Sequence, residues 1–472
     1  VLRRAEQVKE DNTMSQINRR QFLQFAAAAS SATALSFPSI ARAGSKAKVI
    51  VIGGGYAGAT AAKYVRLMDA NIEVTLIEPN ATYVSCPLSN EVVVGHRDIS
   101  TLSVGYDGLK KRGVNVVHDY VTGVDRDKKI VTTRGGQSFA YDALVMSPGI
   151  DFQYTGIEGY NESMIEDIPH AWKAGPQTLL LKKQLEAMPD GGKFVIVVPK
   201  GPFRCPPGPY ERASLVANYF KHHGKTKSKV IIMDANDSHS KKGLFNQGWA
   251  KMYGWEKEGL GTNGMIEWVK GAEGGFVNKL DAKTKTVSSD FVDVKADVLN
   301  IIPPHKAGKV AAIAGLTGAA GNAFEQGWCK VEPMTMASAI DPSVYVVGDA
   351  CVAGEMATYG NPNASFDMPK SAHIAMTQAK VAAAAIVAKV NGLPPTDPIY
   401  ANTCYSVIGD NYGISVAHLY RVQNGTFKYI PEGSGISPLT LPDKSPVPDI
   451  YRKLEAEYAD GWLRNVMADA FA

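Results

Sequence analysis

The sequence has no long apolar run and little excess charge of either sign. No stretch reaches the roughly 18 apolar residues that a membrane-spanning helix needs, so no membrane span is predicted. The 472 residues carry a net charge of +4, which is too small to favour a nucleic-acid partner. A chain of this length is long enough for two or three domains, each with a sizeable core.

Cysteine is scarce, and its spacing excludes several kinds of site. None of the five cysteines belongs to a C-x-x-C pair or a C-x-x-C-H motif. The sequence therefore predicts no c-type haem attachment and no zinc, iron–sulfur or other metal site. An odd number also leaves at least one thiol outside any disulfide. The five are Cys86, Cys205, Cys329, Cys351 and Cys404.

Residues 1–43 have the pattern of a twin-arginine export signal. Arg19-Arg20 precede an apolar segment, and Ala41-Arg42-Ala43 has the form of an A-x-A cleavage site. We expect this segment to direct export to the periplasm and exclude it from the fold. Proteins exported by this route often fold around a cofactor first, and a diffusible nicotinamide pool is not expected outside the cytoplasm. A tightly held flavin therefore fits best.

A dinucleotide-binding fingerprint follows the signal. A predicted strand, 48–52, leads into Gly53, Gly55 and Gly58 in G-x-G-x-x-G spacing, and a predicted helix comes next. Glu78 ends the following strand, where a ribose-binding carboxylate belongs. The glycines allow a tight turn and a close approach of the backbone to a pyrophosphate, which the helix N-terminus then attracts.

Two later motifs extend the prediction to FAD. Tyr141 to Gly149 reads as a buried strand ending in Ser-Pro-Gly, and Val344 to Asp349 reads as another ending in Gly-Asp. Both resemble motifs of the disulfide-reductase-like flavoproteins, in which the aspartate contacts the flavin ribityl chain. We therefore expect Gly149 and Asp349 to bind FAD.

A second domain of the same type has lost its glycine loop. Lys193 to Val198 is a predicted strand, but Pro199-Lys200-Gly201-Pro202 follows it where a second G-x-G-x-x-G would stand. The prolines prevent an immediate helix start. This nucleotide site looks degenerate, and NAD(P)H is not expected as a substrate.

The predicted fold class is α/β, with two Rossmann-like domains arranged as in glutathione reductase and a C-terminal mixed α+β domain. We place the FAD-binding domain at 44–150 and 299–395, the second domain at 151–298, and a C-terminal interface domain at 396–472. Leu299 to Pro303 is expected to return the chain to the FAD domain. Short strand-like pieces such as Gly413 to Val416, and helical spacing from Leu454 to Met467, characterise the last domain.

Cys205 lies in a proline-rich loop that is expected to face the flavin. A second cysteine there would form a redox-active disulfide, which hydrosulfide opens by thiol exchange. Spacing favours Cys351 as the partner, because it follows Asp349 by two residues, but Cys404 stays open. Glu211, at a predicted helix start, would carry a proton if burial raises its pKa, although a favourable charge in a first helical turn explains it equally well.

The role of Cys86 also stays open on the residues alone. It follows the ribose-binding strand closely enough to approach the dimethylbenzene edge of a flavin. A buried thiol is favoured there over a covalent flavin bond. Cys329 has no chemical context and is interpreted as structural.

Several segments together resemble the flavoprotein subunits of flavocytochrome c sulfide dehydrogenases, over essentially the whole mature length. They are the leader, Gly53 to Gly58, Ser85 to Asn90, Cys205 to Glu211, Gly348 to Ala350, Met368 to Ser371 and Asn402 to Ser406. The resemblance implies FAD bound covalently through a thioether at Cys86. It also implies a redox-active disulfide between Cys205 and Cys404, in place of the Cys351 partner that spacing favours.

The resemblance implies further roles and a reaction. Glu211 matches a glutamate near the disulfide, and Lys370 lies in a segment that lines the flavin pocket. Hydrosulfide would attack the disulfide and leave a persulfide on one cysteine, and the other thiolate would reduce the flavin. Electrons would pass singly to a c-type cytochrome subunit, and sulfur would leave as polysulfide or elemental sulfur. Whether Cys329 and Cys351 pair stays open.

Two other functions compete with this interpretation. A sulfide:quinone oxidoreductase would need an amphipathic membrane-docking segment near the C-terminus. The helical stretch from Leu454 to Met467 carries mainly acidic charge, which suits a surface helix packed on a core better. A non-catalytic flavin electron-transfer protein would use its cysteines only to staple domains.

Overall fold

A computed structural model describes residues 46–317, 327–353, 368–423 and 425–472 of the chain. The predicted export signal lies outside the described residues. In the part that the structure describes, no helix is both long and apolar enough to cross a lipid bilayer.

The first domain is built on a mostly parallel sheet, in which only β20 runs antiparallel to its neighbours. Its central strand is buried from its second residue onward, as expected where helices cover both faces of the sheet. Along 46–152 the elements are β1 (Lys48–Ile52), α1 (Tyr56–Met68), β2 (Glu73–Ile77), β3 (Tyr83–Val84), α2 (Ser89–Val93), β4 (Ser103–Val104), α3 (Asp107–Lys111), β5 (Val114–Val117), β6 (Val121–Asp125), β7 (Ile130–Thr133), β8 (Ser138–Ala140), β9 (Ala143–Met146) and β10 (Ile150–Phe152). The central strand β1 pairs in parallel with β2 and β9.

The second domain repeats this plan with a smaller sheet. Its elements are α4 (Pro176–Ala187), β11 (Lys193–Val198), α5 (Gly208–His222), β12 (Lys229–Asp234), α6 (Lys242–Tyr253), β13 (Ile266–Val269), β14 (Lys279–Asp281), β15 (Thr286–Ser288), β16 (Asp293–Lys295) and β17 (Val298–Ile301). The parallel sheet has the order β13-β12-β11-β17, so β11 is an inner strand, as β1 is in the first domain.

The chain returns to the first domain later than the sequence predicts. The boundary expected at Leu299 is wrong, because β17 pairs with β11 and belongs to the second sheet. A short, fully buried apolar strand has the same pattern in either sheet, so its sequence does not reveal its neighbour. The crossing comes with β18 (His305–Ala307), which pairs antiparallel with β10.

The returning segment completes the first sheet. It contains α7 (Lys309–Ile313), β19 (Cys329–Glu332), β20 (Ala337–Ser338), β21 (Val344–Val346), β22 (Cys351–Val352) and α8 (Ala372–Val390). Strand β21 pairs in parallel with β9, which gives the sheet order β22-β19-β20-β21-β9-β1-β2-β5. Helix α8 packs against α1.

The C-terminal domain combines an antiparallel sheet with one long helix. Its elements are β23 (Ile399–Gly409), β24 (Tyr412–Gln423), β25 (Thr426–Tyr429), β26 (Gly435–Ile436) and α9 (Asp449–Phe471). The predicted short pieces are two long strands, of 11 and 12 residues, that form a hairpin. Phe471 stacks on Tyr83 of the first domain with ring centroids 5.3 Å apart. The predicted fold class is confirmed.

Candidate functional site

The loop between β1 and α1 opens onto a cavity of about 600 Å³, here called the dinucleotide cavity. Gly53 has a φ of +96°, and a Cβ on it would lie 2.3 Å from the carbonyl oxygen of Ser147. A Cβ on Gly58 would lie 1.8 Å from the carbonyl oxygen of Gly53. Only glycine fits at these two positions. Gly55 has more room, since the nearest atom to its Cβ position is on Tyr83 at 3.4 Å.

The other residues predicted to hold the nucleotide line the same cavity. Glu78 is held at the glycine loop, because its Oε2 accepts a hydrogen bond from the Gly54 N–H at 2.8 Å. Gly149 has a φ of +66° and no atom within 4 Å of its Cβ position. Asp349 follows β21 in a single 3-10 turn, 3.8 Å from the Arg204 guanidinium. Burial raises the pKa of Asp349, and the Arg204 charge opposes this rise.

These residues fit a bound dinucleotide such as FAD. The backbone N–H groups of the first turn of α1 are unpaired within the helix and lie at the glycine loop, as phosphate binding requires. Arg204 Nη2 is buried and has no hydrogen-bond partner among the described residues. A buried donor without a partner is costly, so a ligand that accepts from it would be stabilising.

A second cavity, of about 310 Å³, brings three of the five cysteines together. Cys86, Cys205 and Cys404 line it with Glu211 and Lys370, and we call it the thiol cavity. All three cysteines are present as thiols. Cys86 also lines the dinucleotide cavity, so it stands where the two cavities meet.

Cys205 is fixed in an unusual backbone conformation at the turn before α5. Its φ is +56°, in the left-handed region that costs a non-glycine residue about 1 kcal/mol or more. Its N–H donates to the Lys370 carbonyl at 2.9 Å, which ties the loop to the start of α8. Burial, followed by the nearby Glu211 carboxyl, raises the pKa of the Cys205 thiol to about 12.

Cys404 approaches the thiol cavity from β23. Residues at every second position of a strand share one face, so Cys404 lies on the same face as Asn402 and Ser406. Its Sγ donates to Asn402 Oδ1 at 3.5 Å, and the Ser371 hydroxyl donates to the same oxygen at 2.6 Å. Burial raises the pKa of the Cys404 thiol, and the positive charge of Lys241 opposes the rise.

The spacing argument for Cys351 as the partner of Cys205 is wrong. Of the described cysteines, Cys351 and Cys329 line neither cavity. The two are register partners in β22 and β19, and the Cys351 thiol donates to the Gly348 carbonyl at 3.2 Å. The 3-10 turn after β21 directs the chain into β22 beside β19.

Glu211 is buried between three elements. Its Oε1 accepts from the Val407 N–H and its Oε2 accepts from Asn90 Nδ2, both at 2.8 Å. Burial raises the pKa of Glu211 to about 7 despite these hydrogen bonds. The carboxyl therefore meets the condition set for a proton carrier near neutral pH. It also lies in the first turn of α5, as the second interpretation expects.

Lys370 and Cys86 are each positioned by specific contacts. Lys370 Nζ donates to the Cys351 carbonyl at 2.8 Å and lies 4.0 Å above the ring centre of Trp328. The Lys370 ammonium is thus engaged in structural contacts, although the residue lines the thiol cavity. The Cys86 sulfur accepts a weak hydrogen bond from the Ala174 N–H at 3.5 Å.

Sequence reasoning missed three polar residues of this region. Arg204 lines both cavities, and its position beside Cys205 in the loop was the one available signal. His418 lines the thiol cavity with its buried Nδ1 unpartnered among the described residues, and burial lowers its pKa to about 4. Lys241 is buried and donates to Ser406 Oγ at 2.8 Å. No motif marks the last two.

The glycine loop fits a dinucleotide, and the adjoining cavity is lined by two thiols from separate domains. Together these features define a flavoprotein oxidoreductase of the disulfide-reductase-like class. Within the described ranges, no group of three or more His, Cys, Asp or Glu side chains is arranged to hold a metal ion.

Comparison with protein families narrows this class. Residues 47–185 match the family model "Pyridine nucleotide-disulphide oxidoreductase". Residues 178–303 match "Sulfide dehydrogenase (flavocytochrome c) flavoprotein chain, central", and residues 396–471 match "Flavocytochrome c sulphide dehydrogenase, flavin-binding". The chain belongs to the family of flavocytochrome c sulfide dehydrogenase flavoprotein chains.

Individual relatives agree with this assignment. A sulfide dehydrogenase flavoprotein chain of Chlorobaculum thiosulfatiphilum is 53% identical over 45 residues, which is 10% of this chain and 94% of that sequence. Mouse mitochondrial sulfide:quinone oxidoreductase is 23% identical over 197 residues, 40% of this chain and 41% of that one. The solved sulfide:quinone oxidoreductase of Aquifex aeolicus matches the fold with a TM-score of 0.65 and 19% identity, over 90% of this chain and 92% of that one.

Proposed function

We propose that this protein oxidises sulfide, using FAD and a disulfide formed by Cys205 and Cys404, and that it passes electrons to a c-type cytochrome subunit. The observation that carries the proposal is that Cys205 and Cys404 line one cavity, which adjoins the dinucleotide cavity at Cys86. Sulfide:quinone oxidoreductases among the relatives act on the same substrate by name, which supports the choice of sulfide.

The cysteine pair supplies the first step. Hydrosulfide attacks one sulfur of the disulfide, a new S–S bond forms, and the old one breaks. The attacked cysteine then carries a persulfide, and the other leaves as a thiolate with the electron pair of the broken bond. When the disulfide closes again and the outer sulfur and its proton leave, two electrons must be removed from the cysteine pair; bound FAD would supply the two-electron acceptor that can pass electrons on singly. Sulfur leaves as polysulfide or elemental sulfur.

Glu211 serves this step through its protonation state. Below its pKa of about 7 the carboxyl is neutral, so it adds no negative charge that would repel hydrosulfide. It holds a proton close to Cys205, whose pKa it influences more strongly than any other neighbouring charge. Above that pH the carboxylate disfavours any anion in the thiol cavity.

The dinucleotide cavity supplies the residues that hold FAD. Gly53, Gly55 and Gly58 admit the pyrophosphate, Glu78 takes the ribose hydroxyls, and Asp349 takes the ribityl chain. We further propose a thioether between FAD and Cys86. Its support is the position of Cys86, which lines both cavities.

The cytochrome partner and the periplasmic location have separate support. The names of the matching family models contain flavocytochrome c, and the chain itself has no haem attachment motif. The twin arginines and the A-x-A site support export. Both assignments predict that the protein co-purifies with a haem protein from the periplasmic fraction.

An anaerobic sulfide titration of the purified holoprotein, followed by acid precipitation, tests the proposal. We expect the flavin absorbance to bleach with sulfide and, after reoxidation, the yellow colour to stay in the protein pellet. Bleaching with loss of colour from the pellet would retain the chemistry and refute the Cys86 bond. A flavin that ignores sulfide would refute the disulfide mechanism.

A further inference from the structure

Lys241 is buried beside the thiol cavity, next to Ser240 in the cavity lining. It caps the N-terminus of α6 with a φ of +58°, a conformation that a lysine adopts at a cost. The residue is 8% exposed, and its Nζ donates to Ser406 Oγ at 2.8 Å. Ser406 follows Cys404 by two positions and shares its face of β23, so the ammonium is held on the side of the sheet that carries the Cys404 sulfur.

In the part of the chain that the structure describes, no counter-charge is in direct contact with the Lys241 ammonium. Its hydrogen bond goes to a neutral hydroxyl, and the ion pairs among the described residues do not include it, whereas the adjacent Lys242 pairs with Glu258 at 2.6 Å. Buried charges are normally paired, because desolvation is costly. A buried lysine without a bound carboxylate is therefore suited to an anion that forms next to it.

The surrounding groups favour Cys404 as the place where that anion forms. The charged and titratable groups that act on Lys241 are Cys404, Glu211, Cys205 and Glu455, with Cys404 the strongest of them. For Cys205, the strongest neighbouring charge is Glu211, which opposes a thiolate. His418 faces the same region but is neutral at physiological pH, because burial lowers its pKa to about 4.

We infer that Lys241 is a positioning residue that holds negative charge on the Cys404 sulfur when the disulfide is open, with Ser406 fixing its ammonium. Of the two thiols in the reduced protein, Cys404 then loses its proton first. The inference deepens the proposed function, which supplies the open disulfide, but it concerns a property of the reduced cysteines that is measured without sulfide.

The test is alkylation of the chemically reduced holoprotein with iodoacetamide, an electrophile that thiolates attack with loss of iodide. Peptide mass spectrometry follows Cys404 and Cys205 separately across a pH series. We expect the Cys404 rate to reach half its maximum at a lower pH than the Cys205 rate. In Lys241→Met, the midpoint should move to higher pH, and the Cys404 rate at neutral pH should fall about tenfold. Lys241→Arg should restore both values.

Two further variants make the outcome decisive. Lys241→Gln removes the charge but keeps a donor for Ser406, so its Cys404 midpoint should rise as it does in Lys241→Met. If the methionine variant fails to fold, the glutamine variant carries the test. Lys242→Met removes the neighbouring charge and should leave the Cys404 midpoint unchanged. A folded Lys241→Gln or Lys241→Met with a wild-type midpoint would overturn the inference. Absence of sulfide bleaching in the wild type would instead refute the proposed function and leave this measurement intact.

Discussion

The two Rossmann-like domains carry loops of opposite character at the same position, the turn that leaves an inner parallel strand. In the first domain, residues 53–55 join β1 to α1, and glycine keeps the backbone open to a ligand. In the second, residues 199–207 join β11 to α5, and they include four prolines and Cys205. The same strand–loop–helix arrangement thus offers backbone N–H donors to a phosphate in the first domain and a fixed cysteine sulfur in the second.

The second loop is held in place because several of its backbone polar groups are bonded to other elements. The Gly201 N–H donates to Asn236 Oδ1 at 3.0 Å, and the Arg204 carbonyl accepts from Trp172 Nε1 at 3.0 Å. Prolines contribute no N–H, and the Cys205 N–H is already bonded to Lys370. These contacts support the interpretation that the second domain no longer binds a nucleotide. They also explain how Cys205 keeps its strained conformation.

The strongest test of this contrast is removal of the sulfur. Cys205→Ser and Cys404→Ser should each slow sulfide-dependent flavin bleaching by at least about a thousandfold, since neither variant can form the disulfide. Stopped-flow absorbance at equal flavin content measures the rates. Cys351→Ser is the matched control and should stay within a few-fold of the wild type. A Cys404→Ser protein that bleaches normally would restore Cys351 as the partner.

The glycine loop is tested by adding one methyl group. Gly58→Ala places a Cβ against the Gly53 carbonyl oxygen, a backbone atom that cannot move aside without opening the turn. We expect a loss of about 3 kcal/mol in the free energy of unfolding, and loss of FAD from the purified protein.

Gly55→Ala is the control for the loss of stability, because its Cβ meets only Tyr83 at 3.4 Å. Urea unfolding and the ratio of flavin to protein absorbance measure both effects. Equal stability of Gly58→Ala and Gly55→Ala would show that close packing of strand and helix is not the reason why glycine is required at position 58.

Glu211→Gln tests the acid that accompanies the second loop. Glutamine keeps the shape and the acceptor oxygen for one hydrogen bond but holds no proton to transfer, so bleaching should slow about a hundredfold at pH 6. Because burial raises the pKa of Glu211 to about 7, the wild-type carboxyl is protonated below this pH and charged above it. The wild-type rate divided by the variant rate should therefore fall as the pH rises through about 7. A ratio that is constant across this range would leave Glu211 with only the role of a helix-terminal charge.

Residues that act through the local chain were predictable from the sequence, and residues that act through tertiary contact were not. Gly58 and Glu78 belong to one strand–turn–helix–strand unit, so their spacing alone predicts where they lie. Cys404 reaches Cys205 only through the hairpin of a different domain, and spacing preferred Cys351 for that reason. The resemblance to a family supplied the predicted pairing of Cys205 with Cys404, which physical reasoning on the residues left open.

The boundary at Leu299 and the role of Lys241 show the same limit. A buried strand of four apolar or neutral residues does not reveal which sheet it joins. A lysine before a helix is normally exposed, and only its burial beside Ser406 makes its charge important. Both facts depend on which elements pack together, which the local pattern of the sequence does not contain.

The smallest predicted effect tests whether equivalent hydrogen bonds stabilise the inner strands of the two domains. The first residue of each inner strand, Lys48 and Lys193, donates its N–H to an aspartate at 2.8 Å, Asp142 before β9 and Asp297 before β17. Both contacts are exposed, so Asp142→Ala and Asp297→Ala should each lower the free energy of unfolding by about 1 kcal/mol, with FAD content and bleaching unchanged. Urea midpoints of the two variants measure this. A large loss in one and none in the other would mean that the domains unfold separately, with only one of them setting the observed stability. Similar losses in the free energy of unfolding would show that the strands preceding the glycine loop and the cysteine loop are stabilised in the same way. The difference in chemistry between the two domains would then lie in the loops alone.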